Sequence, residues 1–351
     1  MSYMQKPKVS HSSLPRNELC LTVRDYEGSM STLCAGCGHD SVTAALVQAI
    51  WELNILPHLI VKMSGIGCSS KTPAYFVDGA HGINAVHGRM PSIATGASAA
   101  NRNLHYIGIS GDGDSLSIGL GQFAHALRRN VNMLYLIENN GVYGLTKGQF
   151  SASADVGSRA KKGEVNHQPP IDPVLLALTL GASFVGRGFS GDKDQLVPLI
   201  KAGILHKGFA LLDILSPCVT FNDHEGSTKS YVHTRQFDRP AVQADFVPQK
   251  TPVQAVYADG EAIPVKLHNG TIVILRKISK DYNPVSREAA YRYILERQTS
   301  GEIVTGLLYL NEDQEDFHSL NDTVDGALRD LPDVELCPGA ATLDEIQQLY
   351  R

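Results

Sequence analysis

Tyr106-Ile-Gly-Ile-Ser-Gly-Asp-Gly-Asp114 leads into the amphipathic run Leu116–Arg129, and that run into Met133-Leu-Tyr-Leu-Ile-Glu-Asn-Asn-Gly-Val-Tyr-Gly144. The two short apolar segments predict strands and the stretch between them a helix, the order of a parallel strand–helix–strand unit. Such a unit brings Asp112, at the tip of one strand, close to Asn139-Asn140 at the tip of the next. A carboxylate, a side-chain amide and a freed carbonyl are the hard oxygen donors that magnesium prefers, with diphosphate oxygens completing its shell. An ordinary strand-to-helix turn would also use Gly and Asp; the Asn-Asn pair in the right context favours the ligand site. A nicotinamide-type turn needs G-x-G-x-x-G, and Gly111-Asp-Gly-Asp-Ser-Leu116 lacks the third glycine.

Outward from this unit the alternation continues. Helices are expected at Val42–Trp51, capped by Asp40 or Ser41, and at Pro91–Ala100, Pro173–Leu180 and Asp194–His206. Strands are expected at Leu59–Met63, Ser183–Arg187 and Ala210–Leu215. This is α/β patterning, a doubly wound, mostly parallel sheet. After about residue 235 the pattern changes. His268-Asn-Gly270 separates two apolar runs as in a hairpin, Ser286–Gln298 reads as a helix, Ile303–Leu310 as a strand, and Thr342-Leu-Asp-Glu345 as a capping box. The expected organisation is an irregular arm over 1–30, a cofactor domain over 31–235 and a small α+β appendage over 236–351.

The 351 residues are 43% hydrophobic with a net charge of −5. That composition supports a real core and gives no electrostatic case for nucleic acid. No apolar run is long enough to span a bilayer, and Met1–Arg16 has no signal-peptide core, so a cytoplasmic location is expected. Disulfides are not expected among the six cysteines. Cys34-Ala-Gly-Cys37 alone fits a zinc half-site, a redox dithiol or coincidence. With Cys68 and Cys218 it makes a quartet for zinc or for an iron–sulfur cluster, and spacing does not separate the two. Location favours the cluster, since Cys68 lies in the loop Gly65-Ile-Gly-Cys-Ser-Ser70 that should approach the cofactor. That loop, Asp112, Asn140 and Cys218 all follow expected strand ends, the edge where open parallel sheets bind ligands. Lys71 could face an anionic substrate, and His87-Gly-Arg89 a phosphate or carboxylate; exposed loop residues are the plain alternative for both.

Five motifs in order, Cys34-Ala-Gly-Cys-Gly-His39, Gly65–Ser70, His87-Gly-Arg89, Gly111-Asp-Gly-Asp114 and Asn139-Asn-Gly-Val-Tyr-Gly-Leu-Thr-Lys-Gly-Gln149, resemble the beta subunit of 2-oxoacid:ferredoxin oxidoreductases. The likeness spans roughly residues 30–235, and the Gly-Leu-Thr-Lys-Gly-Gln run and the Cys-Ser-Ser loop look most similar to the 2-oxoglutarate type. It implies thiamine diphosphate held by Ile66, Gly67, Cys68, Ser69, His87, Gly113, Asp114, Gly144 and Leu145. It further implies Mg2+ on Asp112, Asn140 and the Val142 carbonyl, and one 4Fe–4S cluster on Cys34, Cys37, Cys68 and Cys218. Ala35 departs from the proline that many relatives carry. The implied reaction is oxidative decarboxylation of a 2-oxoacid, with coenzyme A taking the acyl group and ferredoxin the electrons. The glutamate that activates the cofactor is expected from an alpha or fused gamma–alpha partner, since only one diphosphate-binding sheet is legible here. Pyruvate or another 2-oxoacid as substrate, a non-redox decarboxylase subunit and a zinc-binding interaction module are the competing readings.

Overall fold

The computed structural model describes Lys6 and residues 11–160, 162–247, 262–266, 272–277, 282–337 and 339–351. Its strands are β1 (Ile60–Ser64), β2 (His81–Asn84), β3 (His105–Gly111), β4 (Met133–Asn139), β5 (Val142–Tyr143), β6 (Gln149–Phe150), β7 (Phe184–Phe189), β8 (Phe209–Leu215), β9 (Asp238–Val247), β10 (Ala262–Lys266), β11 (Ile272–Lys277) and β12 (Ile303–Leu310). The α-helices are α1 (Gly38–Glu52), α2 (Met90–Ala100), α3 (Leu120–Arg128), α4 (Pro173–Leu180), α5 (Lys193–Leu205), α6 (Tyr231–Phe237), α7 (Arg287–Thr299), α8 (Phe317–Leu320), α9 (Asp333–Leu336) and α10 (Ala340–Gln348).

Ten of these strands form one sheet in the order β10-β11-β9-β12-β7-β8-β4-β3-β1-β2. The run β7-β8-β4-β3-β1-β2 is wholly parallel. Strand β12 joins β7 antiparallel and β9 parallel, so the sheet crosses the expected boundary at residue 235. Strands β10 and β11 pair antiparallel as a hairpin would require, while the turn residues 267–271 lie outside the described residues.

Helix α1 packs on α5, whereas α2, α3, α4 and α7 pack in succession; α4 and α5 both contact β7 and β8, and every residue of β4 and β8 is buried, so the sheet is covered on both faces. Burial on both faces is why β4 and β8 are solidly apolar except near their ends. Phe123 of α3, Tyr135 of β4 and Phe209 of β8 pack together in this core with ring centroids 5.3 to 5.9 Å apart, Tyr135 and Phe209 stacked and Phe123 tilted or edge-on to both. Each such ring contributes about 1.5–3 kcal/mol by leaving water, and the Tyr135 hydroxyl is satisfied by Ser115 Oγ at 2.9 Å.

Helix starts depart from expectation in three places. Helix α1 begins at Gly38 after Cys37 with no side-chain cap, so neither Asp40 nor Ser41 is the cap. A Cβ on Gly38 would meet Ser216 Oγ at 2.5 Å, and the close docking on that segment fixes the start instead. The run expected as one helix from Leu116 opens with a π-helical turn over Gly113–Ile118 and becomes α-helical only at Leu120. Gly119 N–H bonds Asp114 O at 2.8 Å, which closes that wide turn. Finally, Thr342 lies inside α10, which starts at Ala340 without a capping box.

Candidate active site

The four sequence features that were expected at strand ends fall side by side. Strands β8, β4, β3 and β1 are parallel neighbours, and just past their last residues stand Ser216-Pro-Cys218, Asn140, Asp112 and Gly65. Their register brings Gly111 opposite Glu138 and Asn139 opposite Leu215.

Asp112 is buried, at 1% exposure. Its Oδ2 accepts from Gly141 N at 3.0 Å, from Ser153 Oγ at 2.5 Å and from Ser151 Oγ. Oδ1 meets only Asn140 N, at 3.5 Å. Asn140 in turn has its side-chain oxygen on Val142 N at 3.0 Å and its carbonyl held by Asn222 Nδ2 at 2.8 Å. The two side chains named as metal ligands therefore share one turn. Asn139 is braced from behind: its Nδ2 points back to Asp213 Oδ1 at 2.9 Å, while its Oδ1 faces Ser153 Oγ.

Asp114 is a strap. Its carboxylate accepts from Gly88 N and Ser110 Oγ, each at 2.7 Å, and ties the loop carrying His87 to β3. Gly65 passes directly over it, since a Cβ there would lie 1.9 Å from Asp114 Oδ2. Gly113 is covered by Tyr143, whose ring would meet a Cβ at 2.4 Å and whose hydroxyl bonds Gly113 O at 2.9 Å. In the glycine loop, Gly67 has φ +92°, and Ser69 and Ser70 hydroxyls close it on the carbonyls of Ile66 and Gly67 at 3.2 and 2.7 Å. His87 and Leu145 are exposed, and Lys71 is half-buried beside Cys68.

Magnesium suits this turn on the chemistry of its donors. Among the described residues no Lys or Arg forms an ion pair with Asp112, Asp114 or Glu138, although all three carboxyls are buried. Burial pushes the Asp112 carboxyl above its usual range, against the hydrogen bonds of Ser151 and Ser153 and the more distant charge of Lys229. A bound cation would reverse that shift, and Oδ1 is the oxygen left for it.

The cysteines converge from three segments. A Cβ on Gly144 would sit 3.4 Å from Cys68 Sγ and 3.6 Å from Cys218 Sγ. Cys34 Sγ accepts from Thr220 Oγ1 at 3.5 Å, two residues past Cys218. Burial raises the thiols of Cys37 (to about 12), Cys68 and Cys218; the nearness of Cys218 to Cys37 and Cys68, and of Cys34 to Cys68 and Cys218, raises them further. Backbone N–H groups of His39, Thr220, Phe221 and Asn222 act the other way, favouring thiolate at Cys37 and Cys218. Several thiols close together with N–H donors on sulfur suit an iron–sulfur cluster. Among the described residues no three His, Cys, Asp or Glu close on a single-ion position. Cys20 and Cys337, expected to be structural, are exposed.

Sequence reasoning passed over the groups behind the site. Glu138 is buried in β4, with Thr72 Oγ1 3.1 Å from both its oxygens and His39 Nδ1 at 3.7 Å. Burial raises the Glu138 carboxyl well above its usual range and lowers His39 to about 4, so burial works against an ion pair here. A carboxyl inside an apolar strand was the available signal. Ser151 and Ser153, which grip Asp112, had none beyond their alternation.

Residues 65–214 match the family model "Thiamine pyrophosphate enzyme, C-terminal TPP binding domain", which makes this edge a thiamine diphosphate-binding fold. The chain is 41% identical over 222 residues to the 2-oxoacid:ferredoxin oxidoreductase subunit beta of Saccharolobus solfataricus, covering 63% of this chain and 70% of that one. It is 43% identical over 193 residues to the 2-oxoglutarate oxidoreductase subunit KorB of Mycobacterium tuberculosis, 54% and 51% of the two chains. A solved 2-oxoglutarate:ferredoxin oxidoreductase from Magnetococcus marinus, with 2-oxoglutarate, coenzyme A and succinyl-CoA bound, superposes with a TM-score of 0.70 at 30% identity, covering 86% of this chain and 89% of that one. The chain belongs to the 2-oxoacid:ferredoxin oxidoreductase beta-subunit family, a family of oxidoreductases.

Proposed function

We propose that this chain is the cofactor- and cluster-bearing subunit of an enzyme that converts 2-oxoglutarate, coenzyme A and two oxidised ferredoxins to succinyl-CoA, carbon dioxide, two reduced ferredoxins and a proton. The ferredoxin chemistry can run in either direction. The observation that carries this reading is the junction at Gly144, where the segment leaving the Asp112/Asn140 turn touches Cys68 and Cys218. Thiamine diphosphate supplies the carbanion-stabilising chemistry when bound, and a 4Fe–4S cluster the one-electron steps.

This chain's residues hold and orient. Asp112 Oδ1, the Asn140 side chain and the Val142 carbonyl bind magnesium. Ser151, Ser153 and the Gly141 N–H fix the Asp112 carboxylate so that it needs no rearrangement on binding. Asp114 keeps the His87 and Gly65 loops together over the diphosphate. Cys34, Cys37, Cys68 and Cys218 bind the cluster, and Lys71 faces the distal carboxylate of the substrate. An alpha or fused gamma–alpha partner supplies the activating glutamate. Val86, Ile118 and Leu145, exposed apolar residues in the loops at this edge of the sheet, support a chain packing over the site. All six cysteines are unpaired, in keeping with a reducing cytoplasmic setting, and among the described residues no helix is long and apolar enough to cross a membrane.

The test is the complex with its partner, purified without oxygen. About four iron and four labile sulfide per beta chain are expected, with reduction of ferredoxin that requires both 2-oxoglutarate and coenzyme A. Zinc in place of iron, or decarboxylation without ferredoxin reduction, would overturn the reading.

A further inference from the structure

A line of buried polar side chains runs behind the candidate magnesium turn, across three adjacent parallel strands. Arg187 of β7 stands directly opposite Asp213 of β8 and donates Nε to its Oδ2 at 2.8 Å. The other oxygen of Asp213 accepts from the side chain of Asn139, the last residue of β4, at 2.9 Å. Asn139 Oδ1 lies 2.9 Å from Ser153 Oγ, and that hydroxyl also touches Asp112. On its far side Arg187 reaches Asp172, the cap of α4, at 2.6 Å. Arg187 is 5% exposed and Asp213 fully buried.

A guanidinium and a carboxylate buried in the sheet, with a second carboxylate at the cap of α4, are weak evidence of a stability role. Apolar residues of similar size commonly serve as well or better at such places. What this array does uniquely is fix an amide. Asn139 is rotatable about two bonds, and the Asp213 carboxylate, which accepts from its Nδ2, sets which way its amide faces, leaving Oδ1 beside Ser153, whose one proton is shared between Asn139 and Asp112. Its orientation determines where the chain turns at Asn140 and where Ser153 presents its hydroxyl to Asp112.

Resting on the cofactor reading above, we infer that Arg187 and Asp213 are positioning residues for the metal–diphosphate turn, acting through Asn139 to set Asn140 and the Ser153–Asp112 contact. The cofactor is not touched by either residue. Groups that orient metal ligands from behind commonly change metal affinity by roughly 10- to 100-fold when altered.

The experiment measures magnesium-dependent thiamine diphosphate binding to the intact complex by calorimetry, beside iron content, the cluster's electron paramagnetic resonance spectrum and thermal midpoint. Asp213→Asn and Asn139→Ala should each weaken binding by roughly tenfold or more, with iron and the spectrum unchanged. The double variant should be little worse than either single one, because both cut the same link. Arg187→Lys should retain more affinity than Arg187→Gln. Asp172→Asn is the control: it keeps a helix cap and leaves Arg187 paired with Asp213, so affinity should stay within about twofold of the parent even if the midpoint falls. Unchanged affinity in Asn139→Ala, or equal loss in Asp172→Asn, would overturn the inference; should Asp213→Asn fail to fold, Asn139→Ala decides alone. No magnesium-dependent binding by the parent complex would instead overturn the cofactor reading, and this inference with it.

Discussion

Two glycines in one loop should fail for opposite reasons when replaced by alanine. A Cβ on Gly65 lies 1.9 Å from Asp114 Oδ2, 2.6 Å from Ser110 Oγ and 2.9 Å from Asp114 Cγ. All three atoms belong to a buried network, so the Asp114 carboxylate must retreat. Retreat breaks its bonds from Gly88 N and Ser110 Oγ, each 2.7 Å long. Hydrogen bonds to a charged group are worth about 1.5–3 kcal/mol each, and partial relaxation leaves a net local cost of about 3 kcal/mol. Gly67 has nothing within 4 Å of its would-be Cβ but a φ of +92°. Alanine there meets only backbone strain, about 1–2 kcal/mol. Hydrogen exchange read by mass spectrometry on the peptide containing Gly88 separates the two, because that amide is the one Asp114 protects. Gly65→Ala should speed exchange at Gly88 by about 100-fold or more, and Gly67→Ala by no more than about 30-fold, since 1.4 kcal/mol is one factor of ten. Equal acceleration in the two variants, or none in Gly65→Ala, would refute the strap assigned to Asp114.

Lys62, buried in β1, donates to the carbonyls of Phe76 and Val77 at 2.8 Å, and burial lowers its pKa to about 8 from 10.5. Between those two values the unfolded chain holds the proton and the folded chain has released it, so stability rises with pH across that window. The stability of the parent relative to Lys62→Met should therefore increase by about 2 kcal/mol from about pH 8 to about pH 9.5; a flat difference in denaturant midpoints would contradict this. For Lys71→Gln, steady-state kinetics should show kcat/KM falling roughly tenfold for 2-oxoglutarate and little for pyruvate, whereas an unchanged preference would remove Lys71 from the substrate site.

The fold was legible because its signals are local. Apolar runs of strand length alternating with amphipathic helices mark the parallel half of the sheet, and α4 was readable to the residue from Asp172-Pro173 at its start and Gly181 at φ +83° at its end. What failed were boundaries set by contacts distant in sequence. Nothing near Cys37 announces that α1 starts where Gly38 meets Ser216. The π turn at Gly113 depends likewise on Gly119 approaching Gly88, where each Cβ would find the other's backbone at 2.8 Å. In the site, residues that reach outward from strand ends could be named, since strand ends are predictable. Those that brace them from behind could not, because Asn139 meets Asp213, and Asp213 meets Arg187, only through the register of three strands.

That same logic ties the two halves of the site together. Asn140 and Gly144 are four residues apart, so extended chain places them at most about 14 Å from each other. Gly144 lies against Cys68 and Cys218, and Cys68 sits in the loop whose Ser69 would be 3.1 Å from a Cβ on Gly111, the residue before Asp112. Two short segments, 65–69 and 140–144, thus run independently between the carboxylate turn and the thiols. Neither can shift without moving both a thiol neighbour and a neighbour of Asp112. A substitution in either loop should therefore disturb diphosphate binding and thiol geometry together, whereas the Arg187–Asp213 pair, which touches the site through Asn139, can loosen the metal turn and leave the cysteines in place.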